Sequence, residues 1–569
     1  MMQPIRRAIR YFWKREEKEI WVLTGTFTFF MIFGNSLQKV NSFSLVIKDW
    51  ESSMIQTLVY MILFRYLLTW VWDRFDYTNI KYCKIEEKIG NWIDSQSAWR
   101  LVLFFLILYI PYFIAFYPGI FMGDTGDIIV QGYNQVDATA EYLGLADKAV
   151  RINQHYPVLY TMFLHACIVI GRFLFHSWNA GIFICSMIQS VMLFVSFVYT
   201  LKKLKKYNVS RPIRTFVFLY FVMAPMIQNY VFLLTKDVLF GSFLLIFLMT
   251  IPDMQNNQKI GKREWIILLI ATFMILFLRN DGIYIISMTF ICLGIVNTRW
   301  RKRFWEIAVI SIAGIYLMSN IFLPQIGIAK GSRREMLSIP FQQTARYIST
   351  YTDEVTEEEK ASIEAILDYE HMAEDYDPNK SDAIKNSFKE TATSEDMKNY
   401  FRTWWNMCLK HPVTYIEATA NNVYGYFYPG APFAARYTGD FSSKCMEVAK
   451  TISPKLNMEV SYLSGIHPLQ VLLESGDFLF WIPGLSFFLM PAAYTWTLLM
   501  WAGYCISKRK QKVLVNTVPL YISMLICIAG PCNGWYFRYL FSIYLCLPAV
   551  IAVGIANLKE KRSLCEIIL

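Results

Sequence analysis

Charged residues are scarce in this sequence. They make up 17% of the 569 residues, whereas a soluble domain carries about a quarter. Hydrophobic residues make up 55% and gather in runs, and runs of roughly 15–25 such residues are long enough to cross a bilayer core of about 30 Å. The scarcity of charge therefore excludes an ordinary soluble domain and predicts an all-α protein that crosses a membrane several times.

Several familiar motifs are missing as well. The sequence contains no phosphate-binding Walker loop, no dinucleotide-binding glycine loop and no HExxH motif, so nothing in it supports a nucleotide-driven step. The eleven cysteines show no CxxC spacing, and most lie in apolar runs, where they act as small apolar residues. No small-residue cleavage site follows the first apolar run, and we therefore predict a retained span there.

The net charge of +11 comes from short basic clusters between the hydrophobic runs. They lie at 202–206, 259–263, 299–303, 508–512 and 559–562. This distribution is typical of cytoplasmic loops under the positive-inside rule. We therefore expect the basic residues to lie in cytoplasmic loops of a protein embedded in a lipid bilayer, and we expect no nucleic-acid partner.

The same rule sets the sidedness of the spans. Counted as a span, the apolar run 156–175 would place the basic cluster 202–206 outside the cell, against the rule. We therefore predict that 156–175 is an interfacial or re-entrant helix. With that assignment the chain has about twelve transmembrane helices and both termini are cytoplasmic, and 5–18 forms a cytoplasmic interfacial helix.

The expected organisation of the chain has four parts. In order they are 1–100, with the interfacial helix and two extra spans; 101–323, a transmembrane core with a first outer loop at 118–154; 324–476, an extracytoplasmic soluble domain; and 477–569, the C-terminal spans. The polar, acidic third part is expected to be mainly helical, with capping boxes at Thr356/Glu359 and Thr393/Asp396 and a helix end at His411-Pro412. Cys408 and Cys445 both lie in it, and their spacing leaves a disulfide open.

Ionisable residues recur at the predicted outer ends of the spans. They are Asp124 and Asp127, Lys236-Asp237, Arg279-Asn280-Asp281, and Arg538. Charges at membrane depth are costly and usually face a functional cavity, although a single charged residue at a span end can equally be an interfacial anchor. Two acidic clusters and two arginine-bearing turns on one membrane face favour a functional site.

Carboxylates and cations at a lipid–water boundary suit one reaction class in particular. A sugar carried on a polyprenyl phosphate has a lipid tail that needs membrane spans and an anionic leaving group that needs Lys or Arg. The acceptor hydroxyl needs a carboxylate as general base. The pattern thus favours a transferase for a lipid-linked sugar.

The order and sidedness of these motifs carry a resemblance to a known family. The motifs are Gly123-Asp124, a helix opened by His155-Tyr156-Pro157, Thr235-Lys236-Asp237, Arg279-Asn280-Asp281 and the stretch 338–346. From about residue 101 to the C-terminus, the layout resembles the GT-C superfamily of membrane glycosyltransferases, which includes protein O-mannosyltransferases and aminoarabinose transferases. In detail it resembles an uncharacterised bacterial multi-pass family of that type. His155-Tyr156-Pro157 departs from the usual Pro-Pro pair.

The resemblance implies roles for individual residues. It implies Asp124 as the catalytic base, with Asp127 as the alternative, and Asp237 as a second carboxylate that orients the acceptor or a metal. The residues implied in substrate binding are Arg346 and Arg538 for the lipid phosphate, Lys236 and Arg279 as alternatives, Gln342 and Gln343 for sugar hydroxyls, and Asp281 and His155. It also implies an inverting transfer. No cofactor is specified, and a divalent cation is left open.

The expected function is therefore transfer of a sugar from a polyprenyl-phosphate donor to an envelope polymer, lipid or protein, at the extracytoplasmic face of a bacterial cell membrane. A transporter or flippase of a lipid-linked sugar is the alternative from another class. It would predict paired halves with interrupted helices near the midplane, and the sequence shows no such symmetry. A polymerase of lipid-linked glycans is a third alternative, close in chemistry.

Overall fold

A computed structural model describes residues 15–76, 84–256, 260–431, 455–463, 465–474, 486–530, 534 and 536–568. Within these ranges the chain is helical, with three isolated β-bridges and no extended strand. Seven helices are long and apolar enough to cross a membrane: Lys18–Val40, Trp50–Asp76, Val158–Phe175, Trp178–Lys206, Lys236–Gln255, Arg301–Gln325 and Phe537–Leu558. The predicted all-α membrane protein is confirmed, and the number of about twelve spans stays a prediction.

The first helices form a layer of their own against a helix near the C-terminus. They are α1 (Lys18–Val40), α2 (Ser44–Lys48) and α3 (Trp50–Asp76). Helix α4 (Lys84–Ser95) lies apart from this layer, and its Asp94 pairs with Arg214 of the core. Leu68 and Trp72 of α3 are fully buried against Trp501 near the C-terminus. The two leading helices are thus an integral part of the fold. Most of the predicted interfacial segment 5–18 lies outside the described residues, and α1 begins only at Lys18.

The core follows. Its helices are α5 (Ala98–Leu108), α6 (Ile110–Ala115), α7 (Gly123–Gly132), α8 (Ala138–Tyr142), α9 (Val158–Phe175), α10 (Trp178–Lys206), α11 (Arg211–Met223), α12 (Pro225–Tyr230), α13 (Lys236–Asn256), α14 (Lys262–Leu278), α15 (Gly282–Val296), α16 (Arg301–Leu317) and α17 (Leu323–Gln325), with a π-helical turn at Met318–Phe322. The apolar runs 101–117 and 212–232 are each divided into two helices. Pro111 and Pro225 explain the breaks, because proline suits the first turn of a helix and not its interior.

Helix α9 covers the run predicted to be interfacial. It has 18 residues and passes the same length and composition limits as the other candidate spans. It forms a hairpin with α10, in which Gly171 lies against the backbone of Gly181. Two glycines at one crossing allow such close helix contact. The structure therefore supports a membrane-length helix here, and whether it crosses the bilayer stays a prediction.

The polar third part of the chain contains a separate helical domain. Its helices are α18 (Ser338–Thr350), α19 (Glu357–Glu364), α20 (Met372–Asp375), α21 (Asp382–Asn386), α22 (Ser394–Lys410) and α23 (Pro412–Val423), with 3-10 turns at Arg333–Met336, Thr352–Glu354 and Tyr424–Tyr426. Both predicted capping boxes form, and α22 ends at Lys410 before Pro412, as expected. The domain has its own hydrophobic core, which includes Phe341, Tyr400 and Tyr415.

After α23 the chain contacts helices outside this domain, and the domain boundary at 476 stays a prediction. The ring of Phe427 stacks on Phe30 of α1, with 4.1 Å between ring centroids, and Trp496 Nε1 donates to the carbonyl of Phe427 at 2.7 Å. The segment after α23 is therefore packed against α1 and Trp496 through the ring and carbonyl of Phe427. Cys408 is partly buried in α22, and Cys445 lies outside the described residues, so their pairing stays open.

The C-terminal part completes the bundle. Its helices are α24 (His467–Glu474), α25 (Pro491–Ser507), α26 (Gln511–Val515), α27 (Val518–Ala529) and α28 (Phe537–Ile568), with a 3-10 turn at Ser486–Leu489. The predicted start of the C-terminal spans at 477 lies outside the described residues. Helix α28 packs along α13, where Gly241 of α13 faces Phe541 and Leu545 of α28. This packing brings the first turn of α28 to the first turn of α13.

Candidate active site

The loop between α6 and α7 is tied to the segment that precedes α13. The amide of Ile120 donates to the carbonyl of Phe232 at 3.0 Å, and the amide of Leu234 donates back to the carbonyl of Ile120 at 2.9 Å. Thr125 Oγ1 adds a hydrogen bond to the carbonyl of Leu234 at 2.8 Å. Because two separate loops are paired here, Asp124 is held beside Lys236.

Asp124 lies in the first turn of α7. This helix begins at Gly123, and the amide of Met122 donates to Thr125 Oγ1 at 2.9 Å, which satisfies a polar group at the helix start. The positive end of the helix dipole favours a carboxylate in this turn. Local sequence and tertiary pairing thus both support an ionised Asp124 at this position.

Six of the residues singled out in the sequence form one chain of alternating charges. Arg538 Nη2 donates to Asp124 Oδ2 at 2.7 Å, and Lys236 Nζ lies 3.7 Å from the same oxygen. Arg538 Nε lies 3.5 Å from Asp237 Oδ2, and Arg279 Nη1 donates to Asp237 Oδ1 at 3.1 Å. Arg279 then binds Asp281 through two hydrogen bonds, at 2.6 and 2.9 Å. This charge chain runs from Asp281 to Lys236, and its charges sum to zero.

A cavity of about 610 Å³ opens on one end of this chain. Of the candidate residues, its walls include Asp124, Asp127, His155, Lys236 and Arg538. The side chain of Asp124 is 33% exposed, whereas that of Asp237 is 4% exposed. The structure therefore brings Asp124 to the cavity surface and places Asp237, with Arg279 and Asp281, behind the wall.

The pKa values of Asp124 and Asp127 are shifted in opposite directions. Desolvation by the surrounding protein opposes ionisation of Asp124, but the charges of Arg538 and Lys236 outweigh it and lower the pKa of this carboxyl well below its usual range. Burial raises the pKa of Asp127; the hydrogen bond from Tyr156 at 3.1 Å opposes this, and the nearby charge of Asp124 adds to it. Asp124 is thus the firmly anionic group and Asp127 the better proton acceptor.

A family model matches residues 20–564, which is nearly the whole chain. The chain belongs to the family DUF6020. This family is described as one of unknown function, and no curated protein and no solved structure matches the chain. The matched range includes the two leading helices as well as every residue of the charge chain, so both are part of the DUF6020 unit.

His155 of this DUF6020 protein lies just before α9 and faces the cavity. Its amide donates to Asn153 Oδ1 at 3.0 Å, and its carbonyl accepts from Asn280 Nδ2 at 3.3 Å. Burial lowers the pKa of the imidazole, which therefore adds no positive charge at neutral pH. A neutral imidazole has one donor and one acceptor for a bound hydroxyl.

The helical domain supplies cavity residues that the sequence analysis missed. They are Arg334, Glu335, Asp382, Lys385 and Asn386. Lys385 Nζ lies 3.0 Å from Glu335 Oε2 and 3.0 Å from Asp382 Oδ1, so the domain presents a second set of paired charges opposite Asp124. No spacing in the sequence marks these residues, because they lie among many other charges of a polar segment.

Three predicted substrate-binding residues lie on α18 and do not line the cavity. Gln342 Nε2 donates to the carbonyl of Lys380 at 2.5 Å, and Gln343 Nε2 donates to Thr419 Oγ1 at 2.9 Å. Arg346 binds Glu417 and the carbonyl of Asn41, the residue that caps the C-terminal end of α1, both at 2.6 Å. In this structure the three side chains hold the helical domain together and attach it to α1.

The cavity offers few ligands for a divalent cation. In the described part of the chain, no group of three or more His, Cys, Asp or Glu side chains is placed to hold a metal ion. Asp124 is already ion-paired with Arg538 and Lys236, and Asp237 is ion-paired with Arg279. Hard cations prefer several free carboxylate oxygens, so this set of side chains does not fit a metal bound by the protein alone.

Proposed function

We propose that the protein is a membrane glycosyltransferase of the GT-C type, which moves a sugar from a polyprenyl-phosphate donor to a hydroxyl of an envelope polymer, lipid or protein. One observation carries the proposal: Asp124 stands in the cavity wall between two cations, Arg538 and Lys236. A carboxylate for the acceptor and cations for the leaving phosphate are the two groups that this transfer needs.

The donor phosphate is assigned to Arg538 and Lys236. Both line the cavity, and both are already positioned by Asp124 at the first turns of α28 and α13. Arginine matches two phosphate oxygens at once, and lysine adds a point charge. A cavity of about 610 Å³ is large enough for a sugar phosphate, and the lipid tail would extend into the surrounding bilayer.

Binding of the phosphate would also change Asp124. The pKa of Asp124 is low because Arg538 and Lys236 act on it. A phosphate that shares these two cations weakens their hold, so the pKa of Asp124 rises and the carboxylate becomes a stronger base when the donor is present. Asp127, whose pKa is already raised, is the alternative base.

The transfer is a single displacement. The acceptor oxygen forms a bond to the anomeric carbon as the bond from that carbon to the phosphate oxygen breaks. The electron pair of the broken bond leaves with the polyprenyl phosphate, and the hydroxyl proton moves to the carboxylate base. Asp237 is assigned a positioning role, because it lies behind the wall and binds Arg279 and Arg538.

The test is donor cleavage by the full chain in membrane vesicles. A series of undecaprenyl-phosphate donors is supplied, each carrying a different radiolabelled sugar. The product measured is free undecaprenyl phosphate, because transfer from any of these donors releases it. Asp124→Asn is expected to lower the rate roughly 100-fold or more, the contribution of a positioned base. Asp147→Asn, an exposed carboxylate in the same loop, is the matched control. Unchanged cleavage in well-expressed Asp124→Asn protein would remove Asp124 from the mechanism.

The same assay separates the two candidate phosphate arginines. Arg538→Gln is expected to raise the donor KM and lower kcat, because the cation acts on the leaving phosphate. Arg346→Gln should leave donor cleavage within a few-fold of the wild type, because its guanidinium is bound to Glu417 and Asn41. A larger loss of donor cleavage in Arg346→Gln than in Arg538→Gln would instead indicate that Arg346 binds the donor phosphate. Movement of the intact donor across the vesicle membrane without cleavage would favour the flippase alternative.

A further inference from the structure

A second cavity, of about 400 Å³, lies at the opposite end of the core helices. Helix α13 begins at Lys236 in the candidate active site and reaches Asp253 near this second cavity, which is a distance of roughly 25 Å at 1.5 Å per residue. Helices α5, α10 and α14 form its walls. It shares no residue with the first cavity.

Four cations line this cavity: Lys202, Lys203, Lys206 and Arg263. Lys203 and Lys206 share one carboxylate, Asp253, and Lys206 also lies 4.0 Å from Glu264. Two carboxylates therefore face four cations, which leaves a net charge of +2.

The excess positive charge belongs to two side chains in particular. Lys202 Nζ donates to the carbonyl of Gln96 at 2.6 Å, a neutral partner. Arg263 is exposed at the first turn of α14, and its guanidinium has no carboxylate within ion-pair distance among the described residues. Both cations are thus available for an anion that enters the cavity.

The remaining wall of the cavity is apolar. It includes Trp99 and Val102 of α5 and Val195 of α10. Trp99 is 63% exposed and Val195 is 39% exposed, and both belong to helices of the membrane-spanning core. Tryptophan is enriched where the bilayer meets water. A ligand here therefore meets cations at one end and a hydrocarbon surface at the other.

We propose that this cavity binds the head group of an anionic phospholipid. The phosphate would lie against Lys202, Lys206 and Arg263, and the first part of the acyl chains would lie on Trp99, Val102 and Val195. Basic pockets between membrane helices are suited to anionic head groups. A free phosphate would leave the apolar wall uncovered. A zwitterionic lipid would leave the net charge of +2 unchanged, whereas a singly charged anionic lipid lowers it to +1. This site does not depend on the proposed transferase activity.

The test is lipid retention by the purified full chain in detergent, measured by native mass spectrometry. Phosphatidylglycerol and phosphatidylcholine with the same acyl chains are titrated separately. The wild type is expected to retain phosphatidylglycerol in preference. Lys202→Gln/Arg263→Gln should weaken this binding roughly 30-fold, since each cation near the surface contributes about a fivefold factor. Lys262→Gln, an exposed neighbour that does not line the cavity, is the matched control.

Arg263→Gln alone provides a milder variant, because its side chain is exposed and its loss should leave the fold intact. It is expected to weaken phosphatidylglycerol binding about fivefold. Equal retention of the two lipids by the wild type, or equal losses in Arg263→Gln and Lys262→Gln, would overturn the proposal. Displacement of the lipid by millimolar glycerol phosphate would also overturn it, because the site would then recognise a soluble phosphate.

Discussion

The buried pair Asp237–Arg279 allows a quantitative test of the charge chain. Asp237 is 4% exposed and Arg279 is 13% exposed, and their side chains meet at 3.1 Å. Removing one partner of such a pair leaves an uncompensated buried charge, which typically costs about 3–5 kcal/mol. We expect Asp237→Asn and Arg279→Gln each to lower the free energy of unfolding by about 3 kcal/mol, because Asn can keep the hydrogen bond to Thr235 and Asp281 is partly solvated.

The double variant Asp237→Asn/Arg279→Gln should cost much less than the sum of the two single variants. Each single substitution gives the chain of alternating charges from Asp281 to Lys236 a net charge of one unit, whereas the double substitution makes it neutral again. A double-mutant cycle measures this difference as a coupling energy, and we expect about 2–3 kcal/mol. The assay is reversible unfolding in mixed detergent and SDS micelles, followed by the loss of helical circular dichroism.

A second cycle on an exposed pair is the control. Lys302 and Glu306 lie 3.8 Å apart, one helical turn from each other on α16, and both side chains are exposed. Such pairs contribute below about 0.5 kcal/mol. If the coupling energy between Asp237 and Arg279 is no larger than that between Lys302 and Glu306, the buried charges do not act as one network.

Two further predictions concern the loop and the helix packing. Tyr156→Phe removes the hydrogen bond that lowers the pKa of Asp127, so this pKa rises further. If Asp127 is the base, the acidic side of the pH–rate profile of donor cleavage should move to higher pH. A profile that does not move would exclude Asp127 as the base. Gly171→Leu should lower the yield of folded protein, because even a Cβ would overlap the backbone of Gly181. Gly314→Ala in α16, where a Cβ meets open space, should instead stabilise the folded protein by about 0.5–1 kcal/mol. Equal yields of folded Gly171→Leu and Gly314→Ala protein in size-exclusion chromatography would contradict this contrast.

Local patterns predicted much of the fold. The capping boxes at Thr356 and Thr393 and the helix end before Pro412 formed as expected, because each depends only on neighbours within one helical turn. Apolar run length likewise marked the long helices, since crossing a bilayer is a requirement on consecutive residues. The division of a run into helices depends on more than its length, because Pro111 and Pro225 break two apolar runs into separate helices.

The four clusters of ionisable residues were visible in the sequence, but their pairing and their burial were not. Asp124 and Asp237 look alike as span-end carboxylates, and only the packing of α28 on α13 places Arg538 between them and buries Asp237 behind the wall. Arg346 and Arg538 also look alike. The choice between them depends on partners more than 70 residues away, Glu417 for Arg346 and Asp124 for Arg538.

By itself, the sequence determined the class of protein, the positions of the long helices and the loop that carries Asp124. It could do so because hydrophobic length, capping and charge placement act over short stretches of chain. The tertiary structure alone decided which charges pair, which of Asp124 and Asp237 faces the cavity, and that Lys385 of the helical domain lines it. Those outcomes depend on long-range contacts, such as the bridge between Ile120 and Leu233, and a pairing energy between distant residues has no signature in the order of residues along the chain.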